Sequence, residues 1–356
     1  MSQFRIIDAD GHVQELDEEL SEFIGAPYDD LEWHKSYSFW PGLTLDGYLR
    51  SLRKPGGWVG KGKGPNAQHW IDFLDKNAIE MTVLYPTQGL THGVIRDRDW
   101  AVTLARAYND WLYHRFMRVS PRLVGVALLP VQDIHEAVVE LRRCVTELGM
   151  VGAVLPAVAV GGRLFSGPEF YPLWEEAERL DVPVATHGGL SIPHIGLDTV
   201  VNFTVAHTLE HPFAQMRQLV SMIFEGVFEF FPNLRFGCLE CGVGWVPWLM
   251  DRMDEEQERK GRYSPNCKRK PSEYLRNGNI FFAAEVGESA LPLTVQVLGP
   301  DAIIWASDYP HERDQRDFTE DIPTLMRRND VSEELKRKIF FDNTLRFYPS
   351  LRRRME

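Results

Sequence analysis

Cysteine, positive charge and long apolar runs are all scarce in this chain of 356 residues. Its four cysteines are too few and too scattered for a disulfide framework. With 39 basic residues against 51 acidic ones, the formal net charge of −12 leaves no basic face for nucleic acid or an anionic membrane, both of which are held by positive charge. No apolar stretch approaches the ~18 residues of a membrane span, and the start, Met-Ser-Gln-Phe-Arg, lacks the basic and apolar regions of a secretory signal. The expectation is a soluble, cytoplasmic protein. No Gly-x-Gly-x-x-Gly follows the first apolar run, and no repeat of roughly 20–50 residues recurs, which sets aside a dinucleotide-binding sheet and a solenoid.

What the chain does have is 44% hydrophobic and 12% aromatic residues, enough for one large core. Short apolar runs begin at Phe4 and recur at 81–85, 123–129, 152–156, 183–187, 235–240, 280–285 and 302–308. They alternate with helical patterns, among them 100–117, 133–148, 167–180, 208–230 and 245–258. The runs show little polar alternation, as strands buried on both faces do. Eight strands, each followed by a helical stretch, predict an α/β fold of the (β/α)8 barrel type, one domain over residues 1–356. An aromatic-rich insertion over 16–68, with Trp33, Tyr37, Phe39, Trp40 and Trp58, follows the first strand and is read as a lid or subunit contact.

Polar residues end these apolar runs. Asp10 and His12 close the first strand, and being two apart they point to the same side. His187 closes the fifth strand, Glu240 the sixth, Glu285 the seventh and Asp308 the eighth. In a barrel those ends converge on one face, where active sites of this architecture are built. Asp10, His12, His187 and Asp308 form a mixed oxygen and nitrogen set suited to zinc, manganese or ferrous iron, with room for an open position. Cys238 and Cys241 bracket Glu240 at a strand end rather than opening a helix, so redox chemistry is not expected of them.

Four segments together carry a family resemblance: D-A-D-G-H at 8–12, T-H-G-G at 186–189, F-P-N-L-R-F-G-C-L-E-C-G-V-G-W-V-P at 231–247, and W-A-S-D-Y-P-H at 305–311. The chain resembles the amidohydrolase-related branch of the amidohydrolase superfamily, the branch of aminocarboxymuconate semialdehyde decarboxylase and γ-resorcylate decarboxylase. The resemblance implies a distorted TIM barrel, commonly a homodimer, holding one divalent ion on Asp10, His12, His187 and Asp308. Zinc is the first expectation for that ion, then manganese or iron. The first ligand position is often His or Glu in this branch and is Asp10 here. The characterised decarboxylases carry a histidine where this chain has Glu240.

That last departure makes hydrolysis of a small amide, ester or lactone by a metal-activated water the leading expectation, with Asp308 moving the proton and Glu240 as a second acid or base. Decarboxylation of a carboxylated aromatic or muconate-like acid is the alternative, and a non-catalytic ligand-binding barrel is the third. His211 is read as opening or capping the helix after the fifth strand and as a further catalytic group. His311, Glu285, His92 and Trp245 are expected substrate contacts, while His194 and His207 are read as surface residues near the entrance.

Overall fold

The computed structural model describes residues 5–29, 38–41, 64–189, 200, 202–311 and 318–355. The apolar runs form parallel strands, β1 Ile7–His12, β2 Met81–Tyr85, β3 Leu123–Gly125, β4 Ala127–Leu128, β5 Ala153–Pro156, β6 Val184–His187, β7 Phe236–Leu239, β8 Ile280–Ala283 and β9 Ile303–Ile304. They pair in two arcs, β1-β2-β3 and β4 through β9. The arcs are one barrel. β3 and β4 are halves of a single stave broken at Val126, whose N–H donates to Leu84 O (3.3 Å) while that of Ala127 donates to Gly152 O (2.9 Å). The remaining seam is stitched by Ala9 N–H to Trp305 O (3.2 Å) and Asp308 N–H to Asp10 O (3.0 Å). Eight staves therefore close on themselves, the architecture expected of the sequence, and every strand residue is buried.

Helices cover the outside of the staves: α1 Ala67–Lys76, α2 Arg98–Leu112, α3 Ile134–Thr146, α4 Tyr171–Leu180, α5 Phe203–Phe224, α6 Val246–Lys260 and α7 Leu291–Leu298. Their starts follow from short polar side chains that take up free N–H groups: Asn66 accepts from His69, Asp97 from Trp100, Asp133 from Glu136 and Asn202 from Val205. The last of these corrects the expected 208–230 helix. Asn202 starts it five residues earlier, and Gly226, at φ 85°, breaks it from a separate turn at Val227–Phe230. His211 consequently sits inside α5 rather than at its start, and Pro212 follows it within the helix.

Of the 16–68 insertion, Phe39 and Trp40 are buried, and Phe39 N–H donates to Asp17 Oδ2 (3.0 Å). Trp33, Tyr37 and Trp58 lie outside the described residues, as does His194. Among the described residues no helix is long and apolar enough to cross a membrane.

Candidate active site and metal centre

The site begins with an irregularity in β1. Its register on β2 shifts between Asp8 and Gly11, an extra residue that re-aims the strand end. Glycine is needed there because a Cβ on Gly11 would stand 2.3 Å from the Trp70 ring. Asp8 turns inward and accepts from Thr82 Oγ1 (2.7 Å), Ser307 N (2.8 Å) and Ser307 Oγ (2.8 Å), clamping β1, β2 and the chain after β9 together. Asp10 and His12 turn to the mouth of the barrel. His12 Nε2 lies 3.4 Å from Asp10 Oδ1 and 3.4 Å from Asp308 Oδ1, and His187 Nε2 lies 3.1 Å from Asp10 Oδ2.

Both imidazoles are oriented by backbone carbonyls, His12 Nδ1 by Pro86 O (2.8 Å) and His187 Nδ1 by Gly188 O (2.6 Å). A ring whose Nδ1–H is donated away leaves its Nε2 lone pair for a cation. His12 Nε2 and Asp10 Oδ1 are buried without a hydrogen-bond partner, which costs free energy unless something else satisfies them. Burial pushes the Asp10 carboxyl up to about 7, with Asp308 and Glu240 adding to it against the pull of His187. Burial, with His311 and His187 beside it, holds His12 well below the ordinary histidine range, so the ring is neutral. Burial opposes charge on His187, yet Asp10 and Glu240 push it up to about 9, and a divalent ion would displace that proton. Imidazole lone pairs and crowded carboxylates are a ligand set for such an ion, whose charge reverses the penalty on the acids. The residues fit the expected metal.

The facing wall is built from strand ends with unusual backbone. Glu240, just after β7, has φ 49° and Asp308, after β9, has φ 54°, the left-handed region that side-chain-bearing residues rarely occupy. Asp308 Oδ1 is 2.8 Å from His311 Nδ1, and His311 Nε2 reaches Thr87 Oγ1 at 2.8 Å. Glu240 Oε2 lies 3.4 Å from His187 Nε2 and 3.4 Å from His211 Nε2. Burial alone would raise Glu240, but His211, His187 and His311 outweigh it and hold this carboxyl well below its usual range. His211 answers in kind: burial opposes its charged form, yet Glu240 and then Glu210 push it up to about 10.

These groups open onto a cavity of about 480 Å3 lined by Asp10, His207, His211, Glu240, Glu285 and Asp308, among others. That is within the roughly 300–1,000 Å3 of small-molecule sites. Glu285 stands exposed at its rim, and His207, read from the sequence as a surface residue, is in the lining. Glu288, which the sequence reading passed over, accepts from Val243, Gly244 and Glu285 N–H and pins the loops around the mouth. His92 and Trp245 are turned elsewhere. The turn after β2 carries His92 Nε2 to Ala101 O (2.8 Å), and the Trp245 indole donates to Cys241 O (2.9 Å) while its rings pack on Phe282. Neither is part of the described lining: backbone carbonyls hold His92 Nε2 and the Trp245 indole N–H. Burial raises the thiols of Cys238 and Cys241, in keeping with no redox role.

The sequence profile of the amidohydrolase family matches residues 7–350. The chain belongs to the amidohydrolase family. Within it, the chain is 28% identical over 254 residues to a γ-resorcylate decarboxylase of Rhizobium radiobacter, covering 68% of this chain and 76% of that protein. It is 27% identical over 296 residues to a 2-keto-4-carboxy-3-hexenedioate hydratase of Sphingobium sp., covering 79% of this chain and 82% of the other. Among solved structures, a dihydroxybenzoic acid decarboxylase of Polaromonas sp. with bound manganese and the inhibitor 2-nitroresorcinol superimposes with a TM-score of 0.71 at 21% identity, covering 98% and 97% of the two chains.

These relatives correct the hydrolase expectation. The relatives this chain resembles include decarboxylases of aromatic acids, the reaction ranked second from the sequence. The expectation rested on the absence of a histidine from this strand end, yet α5 brings an imidazole, His211, to 3.4 Å from Glu240.

Proposed function

We propose that this amidohydrolase-family protein is a metal-dependent, non-oxidative decarboxylase of a carboxylated aromatic or conjugated acid. The observation that carries the reading is the joining of a ligand set (Asp10, His12, His187, Asp308) to a His211–Glu240 pair across one small cavity. The similarity to decarboxylases of aromatic acids supports it. The ion, when bound, supplies positive charge to hold the substrate carboxylate and a neighbouring oxygen; manganese is the first to test, then zinc and ferrous iron. Asp308, oriented by His311 and raised by burial and by Glu240, carries a proton to the carbon that bears the carboxyl group. The carbon–carbon bond then breaks, carbon dioxide leaves, and the bonding electrons stay with the ring, where the new C–H bond has formed.

No lysine or arginine lines the cavity among the described residues, while Asp10, Glu240, Glu285, Glu288 and Asp308 do. A second carboxylate on the substrate would face these acids across a poorly solvated space. The substrate class this supports is a monocarboxylic acid with hydroxyl or amino donors on its far side, directed to Glu285. A homodimer is proposed with it on the resemblance alone, and light scattering on the purified protein reads it.

The test is to load the metal-free protein with each ion and offer it hydroxylated and amino-substituted benzoates, with a muconate-like dicarboxylic acid as the contrast. One carbon dioxide per substrate consumed, abolished in Asp308→Asn, is the expected result. Hydration is the second reading, favoured by Glu240, a carboxylate able to take a proton from water, and by the similarity to the Sphingobium hydratase. Consumption of a conjugated acid with gain of water and no carbon dioxide would decide for it.

A further inference from the structure

One buried carboxylate beside the site has no part in the scheme above. Glu210, on α5, is 1% exposed, and its Oε2 lies 3.1 Å from His211 Nδ1. The Gly189 N–H, just beyond β6, donates to the same carboxyl. On the other side of the ring, Nε2 faces Glu240 Oε2 at 3.4 Å. Two carboxylates flanking one buried ring favour its cation: Nε2 faces Glu240, and Nδ1 meets Glu210 as an ion-pair contact rather than a hydrogen bond. The backbone makes room for this arrangement. A Cβ on Gly188 would lie 1.9 Å from His211 Cδ2, so a side chain there would expel the ring.

We propose that Glu210 is a positioning residue for the reaction: its charge beside Nδ1 keeps the His211 ring cationic, with Nε2–H toward Glu240 and the cavity. The proposal rests on the decarboxylase reading in one respect, that an anionic substrate must enter a cavity walled by acids. The His211 cation then cancels the charge of Glu240, doing from the helix what a basic residue in the lining would do. The charged and titratable groups facing His211 are Glu210 and His207 on α5, Glu240 after β7, and across the cavity Asp10, Asp308, Glu285 and Glu288.

The test compares Glu210→Gln and Glu210→Asp with the native protein. In the manganese-loaded form, Glu210→Gln is expected to lower kcat/KM about tenfold and to move the alkaline limb of its pH profile to lower pH, since removing a carboxylate makes the imidazolium easier to deprotonate. Glu210→Asp should restore part of both. Metal content and melting temperature should stay at native values, which separates the effect from loss of fold. Independently of turnover, 15N spectra of the diamagnetic zinc-loaded protein, with His211→Gln to assign the signal, should show His211 doubly protonated at pH 8 and neutral in Glu210→Gln. An unchanged pH profile, or a His211 signal that is the same in both proteins, overturns the proposal. Failure of the decarboxylase reading looks different: no acid releases carbon dioxide, yet the His211 signal still changes on replacing Glu210.

Discussion

His12 and His211 are both buried at the mouth of the same barrel, and each has an oxygen close to Nδ1. Behind His12 stands a backbone carbonyl, Pro86 O at 2.8 Å; behind His211 stands a carboxylate, Glu210 at 3.1 Å. A carbonyl fixes the ring but cannot stabilise a charge strongly enough to offset burial, so His12 stays neutral and presents a lone pair. Two carboxylates do offset it, and His211 becomes a cation that presents a proton. The residue type decides little here; the charges around the ring decide more, for His187 also rests on a backbone carbonyl, yet against burial Asp10 and Glu240 push it up to about 9.

The strongest way to break that comparison is to remove a ligand. His12→Ala or His187→Ala is expected to drop bound metal below about a tenth of an equivalent by plasma mass spectrometry and activity by ~10³-fold or more. Native-like metal content in either would put these rings outside the ligand set. Next comes Glu240→Gln, which should cost ~10²-fold in kcat while metal content stays at the native level. A parallel loss of metal there would move Glu240 to the ligand side.

Asp8→Asn sharpens the contrast from beneath. Its carboxylate takes three hydrogen bonds from Thr82 and Ser307, so the variant should lose about 1–3 kcal/mol of stability, read by denaturant titration, with kcat changed less than twofold once loaded. The smallest effect applies the same charge rule far from the site. Glu176, held by Arg179 and Arg142, is lowered to about 2, so its contribution is present above the unfolded carboxyl value near 4.5 and fades as pH falls through 2. Both arginines are half exposed, which limits it to about 1 kcal/mol or less; Glu176→Gln should flatten the stability curve over that window.

Most of the barrel could be read from the chain because each stave is an apolar run ended by a polar residue, and the ends of staves are where a barrel gathers its chemistry. Asp10, His12, His187 and Asp308 were visible for that reason. The break at Val126 was not, since LVGVALL reads as one continuous strand and only the twist of the closed sheet splits it between neighbours. Glu210 was invisible for a different reason. Adjacent residues of a helix point about 100° apart, so nothing in the pair Glu210-His211 says that the acid lies against the ring, with the Gly189 N–H donating to it. His92 and Trp245 were misplaced because loop position tells which end of the barrel a residue is on, and not which backbone carbonyl will claim its nitrogen.

The left-handed backbone at Glu240 and Asp308 also sets the terms on which this protein can diverge. A duplicated gene exploring new chemistry at either position meets a conformational filter before a chemical one: glycine, asparagine, aspartate and histidine enter at little cost, whereas valine, isoleucine and threonine carry the penalty of a branched side chain at positive φ. The accessible alphabet at these two strand ends is therefore small, and only aspartate and histidine within it can carry a proton, so most tolerated changes there either exchange one acid or base for another or silence the position without disturbing the fold.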